Sequence, residues 1–213
     1  MLLDFIYISL AFLLGSIPTG YLLTKYSGRG DIREVGSGNI GATNVLRNSG
    51  KLLGLLTLLL DIAKGFFALY LWDPIEYFWH LNYYISPIVL FGDLIQPYAV
   101  IGSAVVLGHI FSPWLKYKGG KGVATMVGVI LCISLIYDNS IFLITIFTWL
   151  MIIFFTRYVA LGSVISLIIA TIYSFIFLNG LFPFFIFMTL LITYKHKDNF
   201  ERIRNKTEHK ISF

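Results

Sequence analysis

The sequence predicts an all-α polytopic membrane protein of about seven transmembrane helices, N-terminus outside and C-terminus cytoplasmic. Three observations carry that expectation: the apolar weight of the chain, the lengths of its apolar runs, and the one-sided placement of Lys and Arg. Of 213 residues, 57% are hydrophobic and 13% charged, and mean hydropathy is +0.81. Soluble domains run at about 45–50% apolar and roughly 25% charged, so a soluble globular enzyme is excluded. At this length one domain is the default, and residues 1–213 are expected to form a single unit in lipid. The lone cysteine, Cys132, excludes a disulfide framework and any cysteine-based metal site.

A membrane helix needs roughly 20 apolar residues. Residues 5–24 supply one, interrupted by Gly15, Ser16, Pro18 and Gly20, and residues 52–72 supply a second, carrying Asp61 and Lys64. The early stretch lacks the basic n-region of a signal peptide and is expected to be a retained span. Residues 74–98 are aromatic-rich and hold Pro74, Pro87 and Pro97, the pattern of an interfacial excursion or a broken helix. A third span follows at about 97–112. The 34 residues from Val123 to Thr156 are broken only by Asp138 and Asn139, which predicts a tight hairpin of two short helices. Residues 158–178 and about 181–194 give two more, so the count is seven, or five or six if the short ones are re-entrant.

Charge then orients the bundle. Residues 25–51, 113–122, the region around 157 and the tail from Lys195 hold 15 of the 16 Lys and Arg, and the last is Lys64 inside a span. The other side holds no Lys or Arg, and its loops carry Asp73, Glu76, Asp93 and Asp138. The positive-inside rule makes the basic side cytoplasmic. The net charge of +5 is therefore topological, and no nucleic-acid partner is expected.

Chemistry concentrates on that basic face. Residues 36–47 read GSGNIGATNVLR, where glycines let backbone N–H groups converge on an anion. Ser37, Asn39, Thr43 and Asn44 add short polar groups, and Arg47 offers a bidentate fork. The alternative is a flexible loop whose Arg only serves topology. Residues 108–125 read GHIFSPWLKYKGGKGVAT. Lys118, Gly119, Gly120, Lys121 and Gly122 directly precede an apolar helix, whose N-terminus favours anions. The Walker A pattern is not met, because Gly122 follows Lys121; the alternative is a snorkelling lysine cluster. In the tail, His196 and Asn199 are spaced i,i+3 and share a helical face, which either completes a site or belongs to an anionic-lipid anchor. Asp61 and Lys64 are also i,i+3; an internal ion pair that fixes packing is preferred to direct catalysis, because membrane charges need partners. His109, at the inner end of its span, is equally open to a catalytic and a structural role.

Several chemistries are excluded. The chain has no metal-ligand cluster, no G-x-S-x-G elbow and no HxxxxD box. What remains suits group transfer between a small phosphate and a lipid, with no cofactor and no metal. A transporter or binding protein for a phosphorylated lipid or small phosphate is the non-enzymatic alternative.

These residues resemble the bacterial acyl-phosphate:glycerol-3-phosphate acyltransferase family. GSIPTGYLL at 15–23, GSGNIGATNVLR at 36–47, DIAKG at 61–65, GHIFSPWLKYKGGKGVAT at 108–125 and HKDNFERI at 196–203 carry the likeness. The resemblance implies one acyltransferase domain in the bacterial inner membrane, seven transmembrane helices, and an active site facing the cytoplasm. It implies transfer of an acyl group from fatty acyl phosphate to the sn-1 hydroxyl of glycerol 3-phosphate, with membrane lipids as surroundings. Carried onto this chain, Ser37, Arg47, Lys121, His196 and Asn199 are the catalytic set. Asn39, Thr43, Asn44, His109, Lys118, Gly119, Gly120, Gly122 and Ser163 are assigned to substrate binding, and Asp61, Lys64 and Glu208 to structure. The chain departs from the family pattern at Lys206, where a glycine is usual two residues before the Glu, and in a longer region at 73–97.

Overall fold

The computed structural model describes residues 2–72, 97–178 and 180–211, so the proline-rich stretch before Pro97 lies outside the described residues. The described residues are helical, with no strand among them. Ten helices follow in order: α1 Leu2–Ser16, α2 Thr19–Tyr26, α3 Ala42–Ser49, α4 Lys51–Tyr70, α5 Pro97–Ile110, α6 Val123–Ile136, α7 Ser140–Thr156, α8 Val159–Phe177, α9 Phe182–Lys195 and α10 Lys197–Arg204. Short 3₁₀ turns stand at Ile32–Glu34 and Pro113–Leu115.

Each apolar run read from the sequence is a helix, and the 123–156 run folds into the two-helix hairpin α6–α7. The first run is broken. Pro18 has no N–H to continue the ladder, and α1 and α2 meet at a 42° bend. By length and composition, α4, Pro97–Leu115 and α8 are long enough to cross a bilayer, with the bent α1–α2 pair as a fourth. Helices α6, α7 and α9 have 14, 17 and 14 residues, short of the roughly 20 that a full crossing takes.

Glycine seams bring the helices together, as expected where lipid removes the hydrophobic drive between helices and close packing replaces it. A Cβ on Gly15 would lie 2.0 Å from the Val105 carbonyl oxygen, and one on Gly108 2.1 Å from that of Phe12, so α1 and α5 are in backbone contact. Gly65 and Gly128 do the same for α4 and α6. Thr171 and Thr189 are hydrogen-bonded at 2.8 Å between α8 and α9. The core runs through Val105, Met126, Ile130, Phe185 and Met188, while Phe147 and Phe155 stand 64% and 77% exposed. An apolar exterior of that kind is what a lipid-facing surface requires.

The basic-side loops have their own small core. Ile32, Ile40, Val45 and Leu115 are buried together against Tyr21 and Leu53, which anchors both glycine-rich segments to the ends of α2 and α4. The first of these segments departs from its expected form. From Ala42 it is helix α3, ended by Gly50 at φ +103°, so Thr43 and Arg47 sit one turn apart on a rigid element.

Candidate active site

A cavity of about 320 Å³ opens between α3, α4, α6, α7, α8 and the tail, and its wall is of two kinds. The polar half carries Ser37, Thr43, Arg47, Lys121, His196 and Arg202. The apolar half carries Leu58, Ile62, Val127, Ile146, Trp149 and Leu167. Three cationic side chains, the carboxylates of Asp61 and Glu208, and apolar side chains thus line one cavity.

The first turn of α3 and that of α6 both line the cavity, through Gly41, Ala42 and Thr43 and through Gly122, Val123 and Ala124. Helix N-termini carry free N–H groups and partial positive charge. Gly122 caps α6 at φ +88°, a left-handed conformation that favours glycine. The loop before α3 is held from inside by Asn44. Its amide nitrogen donates to the carbonyls of Ile32, Val35 and Asn39 at 3.2, 3.1 and 2.9 Å, and its oxygen accepts from the Ser37 amide at 3.0 Å. Asn48 adds a further donor to that oxygen. Asn44 is fully engaged. Asn39 likewise spends its side-chain oxygen on the Gly41 amide at 2.8 Å.

A hydrogen-bonded chain joins the second loop to the tail. Lys121 donates to the Asn199 oxygen, the Asn199 amide donates to Glu208 at 2.7 Å, and Arg202 donates to the other Glu208 oxygen at 2.6 Å. The orientation of the Asn199 amide follows from its partners, oxygen to the ammonium and nitrogen to the carboxylate. Burial first, and Arg202 next, bring the Lys121 ammonium down to about 8. The His196 ring is held by a 2.8 Å contact from Nδ1 to the Ile192 carbonyl. A carbonyl only accepts, so Nδ1 carries the proton and neutral His196 has an unprotonated Nε2. Burial, then the neighbouring Lys121, push His196 down to about 4. Arg47 reaches the far end of the tail, donating to the His209 carbonyl at 3.1 Å.

Residues of both basic loops and of the tail line this one cavity. The glycerol-3-phosphate acyltransferase family pattern matches residues 5–206. The chain belongs to the glycerol-3-phosphate acyltransferase family. Relatives of that name include those of Pelagibacter ubique, 40% identical with 94% of this chain and 93% of the relative covered, and of Bartonella henselae, 41% identical with 95% and 89% covered. Among solved structures, the chain is similar to PlsY, an integral membrane glycerol 3-phosphate acyltransferase. Its glycerol 3-phosphate form superposes with TM-score 0.81 at 34% identity, covering 98% of this chain and 96% of that one. The lysophosphatidic acid form gives 0.78 at 33%, covering 98% and 95%.

Within this acyltransferase fold, some expected site residues converge and others do not. Ser37, Asn39, Thr43, Asn44, Arg47, His109, Lys121, Gly122, Ser163, His196 and Asn199 line one cavity. Lys118, Gly119 and Gly120 do not line it. Expected to cradle an anion, Gly119 and Gly120 have already spent their amides on the Ile110 and His109 carbonyls, at 3.1 and 3.0 Å. The pair closes the loop back onto the end of α5, and a backbone donor so used has nothing left for a phosphate. Asn44 is corrected in the same way, from substrate contact to the brace of its loop. Asp61 and Lys64 form the expected internal ion pair at 2.9 Å, yet Asp61 also lines the cavity. Several contributors went unread in the sequence, Arg202 and Trp149 among them. Arg202 continues the 196–199 spacing by another three residues, a signal that was there to use; Trp149 sits in an unbroken apolar run and gave none.

Proposed function

We propose that this protein transfers a fatty acyl group from acyl phosphate to the sn-1 hydroxyl of glycerol 3-phosphate, forming 1-acyl-glycerol 3-phosphate and phosphate. The observation that carries the reading is one cavity lined both by the cationic Arg47, Lys121 and Arg202 and by the apolar Leu58, Ile62, Val127 and Ile146. PlsY has been seen in forms with glycerol 3-phosphate and with lysophosphatidic acid, which are the acceptor and product of this reaction. Acyl phosphate as donor rests on the absence of an HxxxxD box from the sequence and on the family likeness.

In this reading Arg47, Lys121 and Arg202 offset the charge of two phosphates brought together, and Ser37 and Thr43 add short donors. The acyl chain lies along Leu58, Ile62, Val127 and Ile146. The acceptor hydroxyl attacks the acyl carbonyl carbon, a C–O ester bond forms, and the anhydride C–O bond breaks. Phosphate departs with the bonding pair. Acyl phosphate is an activated mixed anhydride, so no covalent nucleophile on the protein is needed. His196, with Nε2 free to accept, hydrogen-bonds the acceptor; a group held near 4 is a weak base for an alcohol at neutral pH. The proton passes instead to an oxygen of the departing phosphate. The reaction takes place on the cytoplasmic side of the bacterial inner membrane, in a single domain of seven spans with its N-terminus outside.

Purified protein given acyl phosphate and labelled glycerol 3-phosphate should yield labelled lysophosphatidic acid, and acyl-CoA alone should not. Turnover with acyl-CoA alone would remove the donor assignment. Binding of both phosphates without turnover would leave a lipid-phosphate binding protein. His196→Gln should retain more activity than His196→Ala, because an amide still hydrogen-bonds; equal loss in both, with acceptor binding intact, would restore a general-base role.

A further inference from the structure

The double glycine of the second loop is unexplained by phosphate binding, and the geometry gives it another reason. Both positions press on one residue. A Cβ on Gly119 would lie 2.0 Å from the His109 carbonyl oxygen, and one on Gly120 would lie 2.1 Å from His109 Nε2. The three nearest atoms to that second Cβ all belong to the imidazole ring. His109 is 4% exposed, and the next residue after Gly120 is Lys121.

Behind the ring lies a buried carboxylate, which its Nδ1 approaches without a hydrogen bond. His109 Nδ1 stands 3.5 Å from Asp61 Oδ1. That same oxygen accepts from Thr19 of α2 at 2.6 Å and pairs with Lys64 at 2.9 Å. Lys64 in turn donates to the Ile17 carbonyl at 3.0 Å, at the break between α1 and α2. A buried polar cluster from two spans therefore ends on the imidazole, and the imidazole ends on the loop.

We propose that His109 is a positioning residue: its ring is the seat on which Gly120 rests, and it sets the place at which Lys121 enters the cavity. Position 120 is glycine because any side chain would displace the loop from the ring. The inference rests on the acyl-transfer reading for its assay, and assigns His109 no contact with substrate.

The test is a mutant cycle in full-length purified protein, reading KM for glycerol 3-phosphate separately from kcat. Gly120→Ala should raise KM about tenfold, and His109→Ala alone about threefold. Adding His109→Ala to Gly120→Ala should return KM to the level of His109→Ala alone, since the obstructing ring is gone. Gly119→Ala, which meets the backbone of residue 109, should not be rescued. A Gly120→Ala defect that persists without the ring would overturn the proposal. If Gly120→Ala does not accumulate, single variants decide: His109→Gln, which keeps an atom near the Nε2 position, should recover KM relative to His109→Ala. Equal KM in those two, with loss confined to kcat, would count against it. Should the wild type transfer no acyl group, the functional reading fails, and the cycle is then read from glycerol 3-phosphate binding by calorimetry.

Discussion

Lys121 shows how a single residue acquires its chemistry from its neighbours. In water its ammonium holds its proton far above neutral pH; here burial and Arg202 bring it to about 8. A lowered lysine is cationic below that value and loses charge as pH rises through it. In the proposed reaction, KM for glycerol 3-phosphate should therefore climb above about pH 8, and Lys121→Arg should carry the rise to higher pH. A flat profile to pH 9.5 would argue that Lys121 does not meet the phosphate. Lys206 is a second case. It holds φ +58°, so the turn before Glu208 has the left-handed conformation that favours glycine, at a cost of about 1 kcal/mol or more. Lys206→Gly should raise thermal stability by roughly 0.5–1 kcal/mol and leave the acyl-transfer rate near wild type. A lower melting temperature would show that the Lys206 side chain contributes something the backbone conformation does not.

At the scale of elements, the joint between α2, α4 and α5 depends on charge buried among apolar helices. Asp61 binds Thr19 and Lys64, and both charged residues are nearly inaccessible, at 2% and 5% exposure. Removing one partner of a buried pair costs about 3–5 kcal/mol, more than removing both. Asp61→Leu should thus be poorly tolerated, and Asp61→Leu with Lys64→Met should regain much of the lost stability in detergent melts. A double variant no better than the single would mean that the hydrogen bonds of Thr19 to Asp61 and of Lys64 to the Ile17 carbonyl, not the ion pair, hold the joint. Sequence spacing was enough to find the pair, because i,i+3 on a helix brings two side chains to one face. It could not show that the same carboxylate reaches His109, since that contact depends on how three helices cross.

For the whole molecule, orientation is the expectation most open to direct measurement. The native cysteine, Cys132, is buried, so labelling reports on introduced cysteines. Arg29→Cys in the basic loop should resist an impermeant thiol reagent applied to intact cells, and Asn139→Cys at the α6–α7 turn should react. The reverse pattern would invert the topology. Charge bias was readable because it needs no contacts: translocation sorts Lys and Arg by side, whatever the helices later do.

Periodicity and run length by themselves determined that the chain is a helical membrane bundle, where its apolar helices fall, and that the 123–156 run is a hairpin. Those features follow from local physics: a bilayer demands apolar length, proline breaks a ladder, and charge avoids lipid. Tertiary structure alone decided which polar groups are still free. Asn44, Gly119 and Gly120 look like anion ligands in one dimension, yet their hydrogen-bonding capacity is consumed by carbonyls or amides that folding brings beside them. Trp149 and Leu58 look like lipid-facing bulk, yet helix packing turns them to the cavity wall. A backbone donor can serve only one acceptor well, and which acceptor lies near is fixed by the crossing of helices distant in sequence.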